Sequence, residues 1–298
     1  MAVITNTTTT TQMSTMAVRE VDFIERFQTS WAALRDVLGI SRPIRKDPGT
    51  KLSAGIASIT LQSGTVAEGD EVPLSQATVV PAAIADITLQ KYRKAVTAEA
   101  VAKYGAAIAS QKTDDAMLAE VTGNVLSAFY TFAQTGSLTG TYTTFQMAVS
   151  MAIGKVKNEF QTLHKDYTNV VVFVNTLDLY EYLGAAPISV QNTEGVQYLK
   201  NFLGAETMIL TSEIPQGTVV ATPAENIVLY YIDPADADLR ELGLEYRTSA
   251  DETGVALIGV HKEGNYGRVI GETHVLVGMS LFAEILNGIA VVSISSNP

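Results

Sequence analysis

Cysteine is missing from all 298 residues. That excludes disulfides, thiolate metal centres and a cysteine nucleophile. Charge is also sparse, at 17% of residues against 47% apolar, a balance that supports a real core and excludes a mostly disordered chain. No apolar run reaches the roughly eighteen residues a membrane-spanning helix needs. The opening "MAVITNTTTTTQMSTMAVRE" lacks the basic region, apolar block and small-residue cleavage site of a secretory signal, so synthesis in the cytosol is expected. Lysine is absent from residues 52–90, and tryptophan occurs once, at Trp31.

Catalytic signatures are equally thin. Of the three histidines, His164, His261 and His274, none accompanies a G-x-S-x-G elbow or an H-E-x-x-H zinc motif. His261 and His274 fall on strands expected to be neighbours, where a structural role is the expectation. No Walker A or dinucleotide fingerprint occurs. "DPADAD" (Asp233, Asp236, Asp238) shares only its composition with a calcium loop, lacking the glycine and distal glutamate, and reads as a solvated acidic loop. Carboxylate pairs abound among 31 acids, and nothing singles one out.

What charge there is lies unevenly. Residues 1–51 hold seven Lys/Arg against five acids, and the remainder holds 13 basic and 26 acidic side chains. An acidic body repels duplex phosphates. The basic leading segment suits either the body of a neighbouring copy or nucleic acid. "KYRKA" (Lys91, Tyr92, Arg93, Lys94) interleaves an aromatic with cations but has no aromatic platform beside it. Ion pairing to an acidic neighbour is its expected role, and the acidic tip described next would suit it.

Periodicity sets the elements. Ile24, Phe27, Trp31, Leu34 and Leu38 predict an amphipathic helix over 20–38. Strand character follows at 51–61 and again at 83–96, with "TVAEGDEVPLSQ" and its turn at Glu68-Gly69-Asp70-Glu71 between them. Pro73 and Pro81 cannot donate to a ladder, so the pair reads as a long protruding hairpin with open edges. A ribbon of two strands is marginal in water by itself. Thr97 predicts an N-cap, Thr113 a helix restart with Asp114 and Asp115 in its first turn, and Leu118, Val121, Val125, Phe129 and Phe132 the apolar stripe of a long helix to about 133. "GSLTGTY" breaks it. A second helix is expected from Thr144 to Leu163, a strand buried on both faces at "NVVVFVN", and a short helix from Leu177 to Leu183. Further strands are expected at 207–211, 218–222, 227–232, 243–248, 255–262, 268–281 and 289–294. Helices and strands mix without βαβ regularity, so the class is α+β.

The order of these parts resembles one family. The "EGDEVPLS" tip, the return strand "LQKYRKAVTAEA" and the strand-to-helix run "NVVVFVNTLDLYEYLG" follow one another as in the major capsid proteins of tailed bacteriophages, the Hong Kong 97-type fold. The resemblance spans the chain from about Val21 onward. It implies an N-arm (1–50), an extended loop (51–96), a peripheral domain with a long spine helix (97–141 and 246–284) and an axial domain (142–245 and 285–298). It also implies self-assembly into hexamers and pentamers of an icosahedral shell around double-stranded DNA held without sequence specificity. Assembly would occur in the bacterial cytoplasm and the product would be the virion. No membrane, cofactor or enzymatic activity is implied. The ribbon's missing partner would then be the next chain, across a heterologous interface. Candidate interface residues are Glu68, Asp70 and Glu71 at the tip, Arg93 and Lys94 on the return strand, and Trp31 on the N-terminal helix.

Two departures carry expectations. Some members weld subunits through a lysine on the extended loop, and residues 52–90 offer none. The short arm implies a separate scaffolding protein, beside a portal, and little trimming. An encapsulin-type compartment shares the fold but favours a shorter loop and a docking helix at the start. A soluble hydrolase using acids in 225–252 is the third reading.

Overall fold

The computed structural model describes Trp31 and residues 43–47, 53–62, 65–66, 71–72, 74–83, 89–167, 169–184, 190–193, 196–248 and 256–295. In chain order the first strands are β1 (Pro43–Arg45), β2 (Ser53–Thr60), β3 (Gln76–Ala83) and β4 (Gln90–Thr97). Helices α1 (Ala98–Tyr104) and α2 (Ala106–Ala133), strand β5 (Leu138–Tyr142), helix α3 (Phe145–Thr162), strand β6 (Val170–Asn175) and helix α4 (Thr176–Leu183) follow. Strands β7 (Gln191–Thr193), β8 (Val196–Phe202), β9 (Ala205–Thr211), β10 (Thr218–Pro223) and β11 (Ile227–Tyr231) lead to the short helix α5 (Ala237–Glu241). The chain closes on β12 (Ile258–Asn265), β13 (Ile270–Val277), β14 (Met279–Ala283) and β15 (Ala290–Ile294).

Among the described residues four sheets form: a mixed seven-stranded one ordered β5-β15-β10-β6-β9-β8-β7, two of three strands (β1-β11-β14 and β12-β13-β4), and the two-stranded β2-β3. The centre of the large sheet explains why "VVVFVN" shows no alternation of polarity. Every residue of β6 is buried, but its two faces enter different cores. Val170, Val172 and Val174 join Met208, Leu210, Val219 and Ala221 against Ala148, Val149, Ala152 and Val156 of α3. Val171 and Phe173 join Ile209 and Val220 against Val121, Val125 and Phe129 of α2. Phe173 meets the rings of Phe129 and Tyr130 edge-on, both at 5.6 Å between centroids.

Local signals set the ends of the elements. Thr144 caps α3 by accepting from Met147 N at 3.3 Å, and Thr97 caps α1 by accepting from Ala100 N at 3.2 Å. Asn175 ends β6 and starts α4: its Oδ1 accepts from Leu177 N at 2.8 Å while its Nδ2 donates to Ile214 O at 2.6 Å. Asp178, one turn on, accepts from Gly217 N at 2.7 Å, and burial pushes its carboxyl pKa up.

The structure departs from the sequence expectations in identifiable ways. Helix α2 begins at Ala106 rather than restarting at Thr113; Asp114 sits inside it and is buried because it faces Lys94. "LTGTY" is a strand, parallel to β15, whose alternation runs through Leu138, Gly140 and Tyr142. Gly136 leads into it so closely that a Cβ would lie 2.6 Å from Ile289 O. The expected strand 268–281 divides at Gly278, where Ile232 donates its N–H to Gly278 O at 2.7 Å and a Cβ would lie 3.1 Å from Ile232 O. At 243–248 one bridge, Arg247 to Val260, replaces a strand. Strands β1, β7 and β8 and helix α5 were not expected. The expected helix 20–38 lies outside the described residues apart from helical Trp31. No helix among the described residues is long and apolar enough to cross a membrane.

Because Phe173 is fully buried between two aromatic rings, Phe173→Ala is expected to cost about 3–5 kcal/mol, read as a lowered denaturant midpoint at unchanged slope.

Candidate functional site: the hairpin and its root

The ribbon pairs Ser53 with Ala83 through to Thr60 with Gln76, antiparallel and without a bulge. Eight paired residues per strand extend it by about 26 Å. The return strand thus starts at Gln76 rather than at 83, and β4 belongs to a different sheet. Gln62 N donates to Ser75 Oγ at 3.2 Å, closing the base of the tip. Among the described residues no other strand or helix packs substantially on β2 and β3. The large side chains flanking the tip stay in water: Ile59 is 59% exposed, Leu61 73%, Val72 69% and Leu74 93%. Sequence reading weighed the acids here and missed these apolar groups. Glu71 is exposed, and Glu68 and Asp70 lie outside the described residues.

The root of the ribbon is held from both sides. Strand β4 alternates between half-buried and exposed side chains. On its inner face Asn124 Nδ2 donates to Tyr92 Oη at 3.2 Å. Lys94 Nζ pairs with Asp114 and donates to Thr113 Oγ1 at 3.1 Å. On the outer face Arg93 Nε donates to Glu272 Oε2 at 2.8 Å. That hydrogen bond holds the Glu272 carboxyl below its ordinary value of 4.5 against the opposing effect of burial, with Asn265 and His274 adding to it. Arg93 and Lys94, expected at a subunit interface, are therefore paired to acids of their own chain. Their charges are satisfied where the strand must be fixed.

Trp31, the other interface candidate, is 2% exposed in the core that contains α2, and its Nε1 has no hydrogen-bond partner among the described residues. The basic leading segment also lies on its own chain where it is described. Strand β1 runs parallel to β11, and Arg45 reaches Asp236 at 3.0 Å and Asp233 at 3.6 Å. The "DPADAD" loop is accordingly a clamp rather than a solvated loop. Asp236 accepts from Asp238 N at 3.1 Å, and this bond first, with Arg45 after it, lowers its pKa.

His261 and His274 are direct partners across β12 and β13, with ring centroids 6.3 Å apart. His274 Nε2 lies 3.1 Å from Glu263 and 3.5 Å from Glu272. These three groups offer ligand atoms within 4.8 Å of one another, but the Arg93 guanidinium already covers Glu272. The arrangement is an ion-pair network that ties β4, β13 and β12 together.

No protein-family model matches the chain, and no curated protein matches it in sequence. Solved structures do match in shape. The capsid asymmetric unit of cyanophage A-1(L) superposes with a TM-score of 0.57 at 12% identity, covering 88% of this chain and 92% of that one. Gordonia phage Cozz gives 0.54 at 10% identity over 89% and 87%. The capsid of cyanophage P-SCSP1u gives 0.51 at 9% identity over 87% of each. The fold is the Hong Kong 97-type capsid fold, mixing helix and sheet as the sequence led us to expect.

Two outcomes follow for the root. Lys94→Met leaves a buried carboxylate without its cation and is expected to cost on the order of 3 kcal/mol, with Lys94→Met/Asp114→Leu recovering most of it in chemical denaturation. Because the folded pKa of Glu272 is lowered, its contribution is present above about pH 4.5 and is lost as pH falls through the folded value. The gap in melting temperature between the wild type and Glu272→Gln should be full at pH 7 and close in acid.

Proposed function

We propose that this chain is the shell subunit of a tailed-bacteriophage capsid, a major capsid protein that assembles into hexamers and pentamers of an icosahedral shell enclosing double-stranded DNA. The observation that carries the reading is the ribbon: about 26 Å of paired strand ending in exposed Leu61, Val72 and Leu74, with no substantial packing partner among the described elements of its own chain. A monomer gains nothing from holding such a surface in water. A ring of copies gains from it at every contact, at roughly 25 cal/mol per Å² of apolar area covered. The capsid fold of its structural neighbours supports the same reading.

In this reading residues 1–50 form the N-arm and 51–96 the extended loop, whose ribbon crosses onto the next subunit and whose last strand, β4, is anchored in the peripheral sheet beside β13. Helix α2 with β12 and β13 forms the peripheral domain, and the seven-stranded sheet with α3 forms the axial domain around the capsomer axis. The role is structural, in the virion. DNA is enclosed by geometry, since the acidic body offers no general attraction to phosphate, and a portal and scaffold are the other partners.

Negative-stain microscopy of the purified protein is expected to show capsomer rings or polyhedral particles. Val72→Asp/Leu74→Asp should abolish them while leaving the stability of the dispersed subunit within about 0.5 kcal/mol of wild type. A wild-type protein that stays a dispersed monomer at every concentration would overturn the reading.

A further inference from the structure

An asparagine side chain can react with its own backbone: the nitrogen of the following residue attacks the amide carbon and ammonia leaves. The attack is fastest where that following residue has no Cβ to crowd it and turns freely. Of the eleven asparagines, ten precede Thr, Val, Ile, Glu, Phe, Tyr or Pro, and one, Asn287, precedes glycine. Packing imposes that glycine. A Cβ on Gly288 would lie 2.6 Å from Phe160 Cε2 and 3.1 Å from Asn226 Nδ2, so the contact that seats this stretch against α3 also creates the reactive pair. The pair lies in a 3₁₀ turn, Leu286–Gly288, that leads into β15. Asn287 is exposed there and Gly288 is buried.

The folded turn keeps both reacting groups occupied. Gly288 N, the nucleophile, donates to Ile285 O at 2.9 Å, and that oxygen also accepts from Asn226 Nδ2 at 3.0 Å. Asn226 holds the same residue a second time through Oδ1, which accepts from Ile285 N at 2.8 Å. Asn287 Oδ1 accepts from Ser137 Oγ at 3.2 Å, which ties the amide to the segment between α2 and β5. A nitrogen held in the turn's own hydrogen bond does not reach the Asn287 side-chain carbon, so reaction waits for the turn to open.

We infer that Asn287–Gly288 is a deamidation site which the folded turn keeps shut, so that the chain is marked irreversibly only while this turn stands open. Gly288 N bonds to Asn287 Cγ and the Cγ–Nδ2 bond breaks; the proton of Gly288 N passes through solvent to the departing nitrogen, which leaves as ammonia. Water then opens the cyclic succinimide at either carbonyl, giving aspartate or isoaspartate. In isoaspartate the main chain runs through Cβ and Cγ and is longer by an atom just before Ile289. That stretch has no room for added length. Gly288 is seated against Phe160, while Ala290 pairs with Ala221 of β10 on one side and Leu138 of β5 on the other. Ile289, Ala290 and Val292 are buried in the two cores. A subunit that folds promptly stays unmarked, and one that lingers unfolded loses the strand that joins β5 to the large sheet.

Peptide mapping by mass spectrometry tests this on the full chain held at mildly alkaline pH, once folded and once in guanidinium chloride. In denaturant Asn287 is expected to deamidate ahead of every other asparagine, and in the folded protein the same site should react more slowly by about tenfold or more. Equal rates in the two states, or no preference for Asn287 in denaturant, would overturn the inference. A second measurement follows what the mark does. Protein aged in denaturant is refolded by dilution, and isoaspartate at 287 should be confined to the fraction that fails to regain native circular dichroism. Asn287→Gln aged alongside should refold in full. Unaged Asn287→Asp, which carries the charge on a main chain of normal length, should refold as well, separating added charge from added length. Isoaspartate at equal levels in the refolded fraction overturns the inference. So does an aged Asn287→Gln chain, or an unaged Asn287→Asp chain, that refolds as poorly as the aged wild type.

Discussion

Among the described elements, two strands are paired only to each other and leave two open edges. With no described element packed substantially on it, the ribbon takes its orientation from where it meets the rest of the molecule. That junction is β4, which is locked by a buried ion pair to α2 on one face and by an arginine–glutamate hydrogen bond to β13 on the other. Both acids are nearly inaccessible to solvent. Charges in such places contribute less to net stability than to uniqueness of placement, and placement is what a projecting arm requires.

The same logic separates the chain's cations by task. Arg45 ties β1 to the loop before α5, while Arg93 and Lys94 fix β4 against β13 and α2. An acidic protein with few basic residues places most of its described ion pairs where strands must be anchored.

Much of this was legible before any coordinates. Strand β6 could be read as doubly buried because five successive apolar, mostly β-branched residues leave no polar face. The caps at Thr97 and Thr144 were legible because a hydroxyl before an apolar stripe has one common use. Other features were hidden for physical reasons. Asp114 mimics a helix start in sequence, yet its carboxylate answers a lysine twenty residues earlier, a tertiary pairing no local pattern encodes. "GSLTGTY" reads as a loop because its two glycines respond to the close approach of Ile289 and of Tyr142 rather than to a turn. At the tip, charge drew attention away from Val72 and Leu74, whose exposure is the more unusual fact.

Strand β6 has a further consequence. Its alternate residues belong to two separate apolar cores, one under α3 and one under α2, so it is a shared wall rather than a border between regions. Neither half can loosen without stripping one face of the other's support. Force arriving at the ribbon's root is therefore passed through α2 and this wall into the far half, and the subunit answers a pull or a blow as one elastic body.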